Sequence, residues 1–234
     1  MKKLILIALC LSFFGLESTA QTLSAGDIAI VQYNADGGEI LKFLALEDIP
    51  AGEQLNFTDN GWFASGSFRT GEGGSTWTSP VGGIACGTVV THPFGGGLSG
   101  SGDQVLVYQG SSASPTFITA LNAEGTPGVW QADATSSNTS ALPTGLTNGT
   151  DAVALDEIDN AKYNGVVLSG TKAAIRAAIH DKSNWTGDNS VNQDFTDSFT
   201  ITDCGGVPGA TTVSFRMIFF GLLTQELQQV IGSI

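Results

Sequence analysis

Short runs in which apolar residues alternate with polar ones or cluster together, each bounded by Gly, Asn, Asp or Pro, recur along most of the chain. Ile28-Ala29-Ile30-Val31-Gln32-Tyr33, Ile40 to Leu46 and Gln54-Leu55-Asn56-Phe57-Thr58 open the series. Thr88-Val89-Val90, Gln104 to Tyr108, Thr116 to Ala120, Val129-Trp130, Ala152 to Leu155, Val166-Val167-Leu168 and Phe199-Thr200-Ile201 continue it. This is strand patterning, and about ten such strands separated by turn residues predict an all-β, immunoglobulin-like sandwich. The turns are explicit in Asn34-Ala35-Asp36-Gly37-Gly38, Ile49-Pro50-Ala51-Gly52 and Ser101-Gly102-Asp103, which supply residues suited to positive or pre-set φ.

One segment has a different period. Lys172 to His180 is alanine-rich and brings Ile175 and Ile179 to one face, with Ser169-Gly170-Thr171 ahead of it offering a hydroxyl cap. That predicts a single short helix packed on the sheets, with Trp185 close by.

The ends depart from the body. Lys2 and Lys3, the apolar run Leu4 to Leu16 and the small residues Ser18-Thr19-Ala20 make residues 1–20 a Sec signal peptide, so a secreted or cell-surface location is expected. The apolar run is shorter than the ~20 residues of a membrane span, and no transmembrane segment is expected in the mature chain. The β-sandwich then takes 21–204. Beyond it, 205–234 reads as a linker and a tail, amphipathic or disordered, with Phe219, Leu223, Leu227 and Val230 at helical spacing. The change of composition there also fits an interrupted reading frame.

Charge narrows the partners. With 9 Lys+Arg against 22 Asp+Glu the net charge is -13, which removes the cationic contacts that nucleic-acid binding needs. The 31 glycines fit a chain of turns. Cys86 and Cys204 are the cysteines left after removal of the leader, and export to an oxidising compartment predicts a disulfide between them, the alternative being two buried thiols.

Catalytic patterns are sparse. His92 and His180 are isolated and read as surface histidines, the latter at a helix C-terminus where an imidazolium is favoured. Gly71-Glu72-Gly73-Gly74 and Gly95-Gly96-Gly97 lack the Lys and Ser/Thr of a phosphate loop and read as inter-strand loops. Two other features carry chemistry. Asp156, Glu157, Asp159 and Asn160 gather hard oxygen donors in one loop, and Asp36 with Glu39 forms a second such set; both are candidate calcium sites. Trp62, Phe63, Phe68, Trp77 and Trp130 fall in expected loops, where aromatic rings either stack on sugars or cap the core, the core being favoured for most of them.

Several stretches carry a family resemblance: Ala25-Gly26-Asp27-Ile28-Ala29-Ile30, Phe43 to Gly52, Phe57-Thr58-Asp59-Asn60-Gly61-Trp62, Ser101 to Gly110 and Asp159 to Gly165. Through them the chain resembles an uncharacterised β-domain found at the N-terminus of secreted bacterial surface proteins and, more distantly, the immunoglobulin-like lamin-tail domain. The resemblance spans roughly residues 24–190 and implies an extracellular accessory module with no catalytic residues to carry over. A non-enzymatic module for adhesion or for binding a glycan or cell-surface polymer is therefore the expected function. The competing expectation is a hydrolase of an extracellular polymer using two carboxylates, with Glu72, Asp59 and Asp103 as candidates.

Overall fold

The computed structural model describes residues 23–125 and 127–205. The expected signal peptide, residues 1–20, and the expected tail after Gly205 lie outside the described residues. In chain order the strands are β1 (Ile28–Asn34), β2 (Ile40–Ala45), β3 (Gln54–Thr58), β4 (Trp62–Phe63), β5 (Ser67–Phe68), β6 (Gly74–Thr78) and β7 (Val89–Pro93). There follow β8 (Gln104–Ser111), β9 (Ser114–Gly125), β10 (Ala152–Asp156), β11 (Asn160–Tyr163), β12 (Ser169–Gly170), β13 (Trp185–Asp188) and β14 (Thr200–Ile201), with the helix α1 (Lys172–Ile179) between β12 and β13. Two five-stranded sheets, in the orders β13-β11-β1-β2-β7 and β10-β9-β8-β3-β6, face each other as an all-β sandwich.

The inner core comes from alternate residues of both sheets, among them Ile28, Ile30, Phe43, Leu55, Phe57, Val105, Val107, Ile118 and Leu121. β1 is buried along its whole length because its other face is covered too. There Ala29, Val31 and Leu44 pack under Ile175 and Ile179 of α1 and under Phe195 and Phe199. A shift of register between Ile30 and Gln32 inserts one extra residue into β1. Such a bulge exchanges the two faces of a strand, because side chains alternate with a period of two. Tyr33 thereby turns into the core, while Gln32 and Asn34 turn outward to bond the covering segment, Gln32 Oε1 accepting from Phe195 N at 2.8 Å and Asn34 Oδ1 from Gln193 N at 2.9 Å.

The far face of the second sheet is covered by the β4–β5 ribbon and by 127–151, where Trp62, Leu106, Phe117 and Leu146 form a further cluster. β9 and β10 are parallel, and 127–151 is the crossover that this direction requires. Thr171 caps α1, its Oγ1 accepting from Ala174 N at 3.2 Å, and Trp185 Nε1 donates to Ile179 O at 2.7 Å. Cys86 and Cys204 are joined by a disulfide with their Cα atoms 5.7 Å apart, which ties the end of the covering segment to the β6–β7 loop.

Two expected strands are loops: Val129–Trp130 belongs to the crossover, and Val166–Leu168 is irregular, with Val167 and Leu168 turned into the outer cluster. Trp77 is not in a loop but on β6, half-buried and edge-on to Phe43 at 5.2 Å. The histidines are not on the surface. His92 sits on β7 with Nε2 2.8 Å from Ser75 Oγ. His180 is 3% exposed, and burial, opposed by its bond to Arg176 O, lowers its pKa to about 4. The imidazolium expected at a helix terminus is therefore absent, because this helix end is sealed under the sheet and desolvation outweighs the dipole. Among the described residues no helix is long and apolar enough to cross a membrane.

Candidate functional site

The ends of β1, β3, β7, β9, β10 and β13 and the starts of β2, β6, β8 and β11 all lie at one edge of the sandwich. The loops joining them carry Asp36, Glu39, Asp59, Glu72, Asp103, Glu157 and Asp159, and Glu124 lies at the end of β9. Few cations offset them. Arg69 is paired with Glu72 and Lys182 with Asp156, while Lys42 and Lys172 are engaged elsewhere with Asp194 and Glu47.

Some of these carboxylates have structural work. Asp103 closes its own loop, Oδ2 accepting from Ser99 N at 2.7 Å and Oδ1 from Gln104 N at 2.8 Å. Asp159 Oδ1 accepts from Gly102 N at 2.9 Å, and Asp36 Oδ2 accepts from Asn160 Nδ2 at 2.8 Å. Others are stranded. Apart from Ser79 Oγ, every buried side-chain N or O atom without a hydrogen-bond partner among the described residues belongs to this edge: Tyr33 Oη, Glu39 Oε2, both Asp59 oxygens, both Glu72 oxygens, Gln104 Oε1 and Glu124 Oε2. The Glu72 carboxylate has Arg69 as its counter-ion; Asp59 has none.

Asp59 follows β3 and is 1% exposed. Burial raises its pKa to about 6; the N–H groups of Gly73 and of Asp59 itself oppose that rise without reaching hydrogen-bond geometry, and the charge of Glu39 adds to it. Asp103 is pushed further, to about 8, mainly by burial, against the Ser99 and Gln104 amides and with the help of Asp59 and Glu124. The Tyr33 hydroxyl, raised by burial and by Asp103, Asp159, Glu39 and Asp36, lies beneath the same edge. Glu39 comes from the opposite sheet to the glycine loop that packs on Asp59: it has a φ of 51°, the single positive value outside glycine among the described residues, and its Oε1 accepts from Gly97 N at 3.0 Å.

The structure separates residues that the sequence grouped. Asp156, Glu157, Asp159 and Asn160 do not form one donor set. The chain leaves the second sheet at Asp156 and enters the first at Asn160, so Asp159 and Asn160 turn under the edge, whereas Asp156 and Glu157 stay exposed and bond to Lys182 and Asn189. Asp36 and Glu39 likewise part, one to Asn160 and the other to Gly97. Among the described residues no group of three or more His, Cys, Asp and Glu is placed to hold a metal ion.

The aromatic residues divide as well. Trp62 is 5% exposed, with Phe68 and Phe117 edge-on at 5.0 and 4.9 Å, so it has no free face for a sugar. Trp77 packs into the inner core, and Phe63 is half-buried in the β4–β5 ribbon. Trp130 is half-buried, its Nε1 donating to Asn148 Oδ1 at 3.1 Å.

Sequence reading missed the meeting of Asp59 with Glu39 and the two glycine runs. The signal for it was present in Gly73-Gly74 and Gly95-Gly96-Gly97, since glycine clusters mark close approach of backbones. A second feature flanks this edge, a groove of about 270 Å³ beside the β10–β11 turn. Trp185, Ile158 and Leu155 give it an apolar floor, and Asp156, Glu157, Lys182, Ser183 and Thr186 line the rest. Compared with known proteins, the chain matches no family model, no curated protein and no solved structure.

Proposed function

We propose that the chain is a secreted, non-enzymatic module that binds a glycan or other cell-surface polymer. The observation that carries this reading is the groove beside the β10–β11 turn, where an indole and two aliphatic side chains are ringed by two carboxylates, an amine and two hydroxyls. A sugar ring offers an apolar face and a belt of hydroxyls, and an aromatic floor with hydrogen-bonding groups around it is complementary to both. The net charge of -13 favours neutral or cationic polymers over nucleic acid. The signal peptide and the likeness to bacterial surface modules support an extracellular location.

The experiment is binding of the mature chain to a glycan array and to insoluble polysaccharides. Retention is expected, with at least a roughly tenfold loss in Glu157→Gln and Trp185→Ala, on the scale of one lost polar contact or one stacking surface. Absence of retention on every polysaccharide would remove the reading. The alternative, a hydrolase using two carboxylates, has in its favour the raised pKa values of Asp59 and Asp103, about 6 and about 8, and against it their burial at 1% and 2% exposure, which closes both to a polymer. Turnover of a polysaccharide or phosphoester substrate, lost in Asp59→Asn, decides for it.

A further inference from the structure

The unpartnered carboxylate of Asp59 is packed against backbone that only glycine lets come so close. A Cβ placed on Gly73 would lie 2.6 Å from Gly96 O and 3.0 Å from Asp59 Oδ2, and one on Gly97 would lie 2.6 Å from the same Oδ2. The Gly96 carbonyl and the Asp59 carboxylate therefore approach one another beside Gly73, where any side chain at 73 or 97 would clash with them. Glu39 joins them from the other sheet, for a Cβ on Gly96 would be 4.0 Å from Glu39 Oε2. Three carboxylate oxygens, Oδ1 and Oδ2 of Asp59 and Oε2 of Glu39, are buried there without a hydrogen-bond partner.

Buried polar atoms are nearly always bonded, and an orphaned carboxylate is among the most costly to leave alone. Asp59 has no basic side chain beside it and no hydrogen-bond partner among the described residues, and the charge of Glu39 repels it. Two carboxylates and a carbonyl gathered at one glycine loop, with no cation beside Asp59, are matched in charge by a divalent cation.

We infer that Asp59, Glu39 and the Gly96 carbonyl bind a calcium ion that bridges the two sheets at the loop edge. The donors are all oxygen, which excludes the softer metals that prefer His or Cys. Calcium takes six to eight oxygens in irregular geometry, so a bidentate Asp59, one oxygen of Glu39 and one carbonyl leave places for water. Magnesium is less suited, since it keeps most of its water and demands an octahedron. That only two carboxylates contribute agrees with the lack of any group of three among the described residues. The other Glu39 oxygen, held by Gly97 N, fixes the glycine loop against the ion. The inference does not depend on what the groove beside Trp185 takes up.

The test is calorimetric titration of calcium chloride into the chelator-treated mature chain at low salt, with melting curves in calcium and in chelator. One saturable site is expected, with a higher melting temperature in calcium. Asp59→Asn is expected to weaken it at least tenfold, Glu39→Gln also to weaken it, and Asp156→Asn and Glu157→Gln to leave it unchanged. Calcium binding without polysaccharide retention sustains this inference and removes the proposed function; the reverse result does the opposite. Glu39→Gln, at a half-buried loop position, decides the matter if Asp59→Asn does not fold. No heat at millimolar calcium, unchanged affinity in a folded Asp59→Asn, or equal losses in Asp156→Asn and Asp59→Asn would overturn the site, the last by showing only a diffuse atmosphere of ions.

Discussion

Replacing Asp59 by Asn removes a charge while keeping the shape, and in the absence of calcium it is expected to stabilise the fold. Asp59 ionises at about 6 in the folded chain against 3.8 for the ordinary carboxyl. The folded state thus holds the proton over a range in which the unfolded state has released it. Its contribution is fully present below pH 3.8, falls as pH rises through about 6, and above that the bare carboxylate costs about 3 kcal/mol relative to an unperturbed one. Asn titrates nowhere in this range, and its amide can donate where the Asp59 carboxylate cannot, with the Gly96 carbonyl close by. Asp103 adds to the effect with the same sign, because part of its rise is due to the charge on Asp59.

For a chain of this size about 1 kcal/mol moves the melting temperature by about 2–4 °C, so Asp59→Asn is expected to melt up to about 10 °C higher at pH 7.5 in chelator and equally at pH 4. Thermal and urea unfolding of both proteins from pH 4 to 8 measures it. The difference between the two proteins is the informative quantity, since the wild-type curve also contains opposing groups. An Asp59→Asn variant no more stable than wild type at pH 7.5, or a difference that does not change with pH, would refute the view that Asp59 is uncompensated.

His180 acts in the opposite direction. Its pKa of about 4 against 6.5 means that its contribution is present above pH 6.5 and is lost as pH falls through 4, so a His180→Gln variant is expected to lack an acid-side loss of about 3 kcal/mol in the same unfolding series. Opening the Cys86–Cys204 bridge, with Cys86→Ser and Cys204→Ser together, releases a loop with a sequence separation of 118 and is expected to lower stability by up to about 4–5 kcal/mol on chain-entropy grounds, read as a fall in the urea midpoint. Equal midpoints for the bridged and open forms would contradict it. Trp62→Ala empties the cluster shared with Phe68 and Phe117 and is expected to cost about 3–5 kcal/mol. Trp130→Ala, losing the bond to Asn148 and the packing of a half-buried indole on the edge of the same cluster, is expected to cost less than Trp62→Ala, about 1–3 kcal/mol by the same assay.

The local order of this protein is written in its sequence. The apolar runs at β1, β2, β3 and β8 sit where the alternating pattern puts them, and α1 starts at its Thr171 cap with Ile175 and Ile179 facing inward. Periodicity and capping act between residues close in the chain, and so they can be read without knowing the fold. The cysteine pair was legible for another reason, in that beyond the expected leader each cysteine has a single partner to meet. The acidic edge was legible only as composition. Whether a loop carboxylate faces water or the interior depends on what a distant segment places above it. Asp59 is covered by glycines 73 and 97 and met by Glu39 from the other sheet, and Asp159 is drawn under by Gly102. The same holds for Trp62, which Phe117 of β9 meets beneath the β4–β5 ribbon, and for His180, which lies against Thr119 of the same strand. Burial is a sum over neighbours brought together by the packing of both sheets, and burial sets the charge state of Asp59, so the chemistry of this edge was decided by tertiary structure alone.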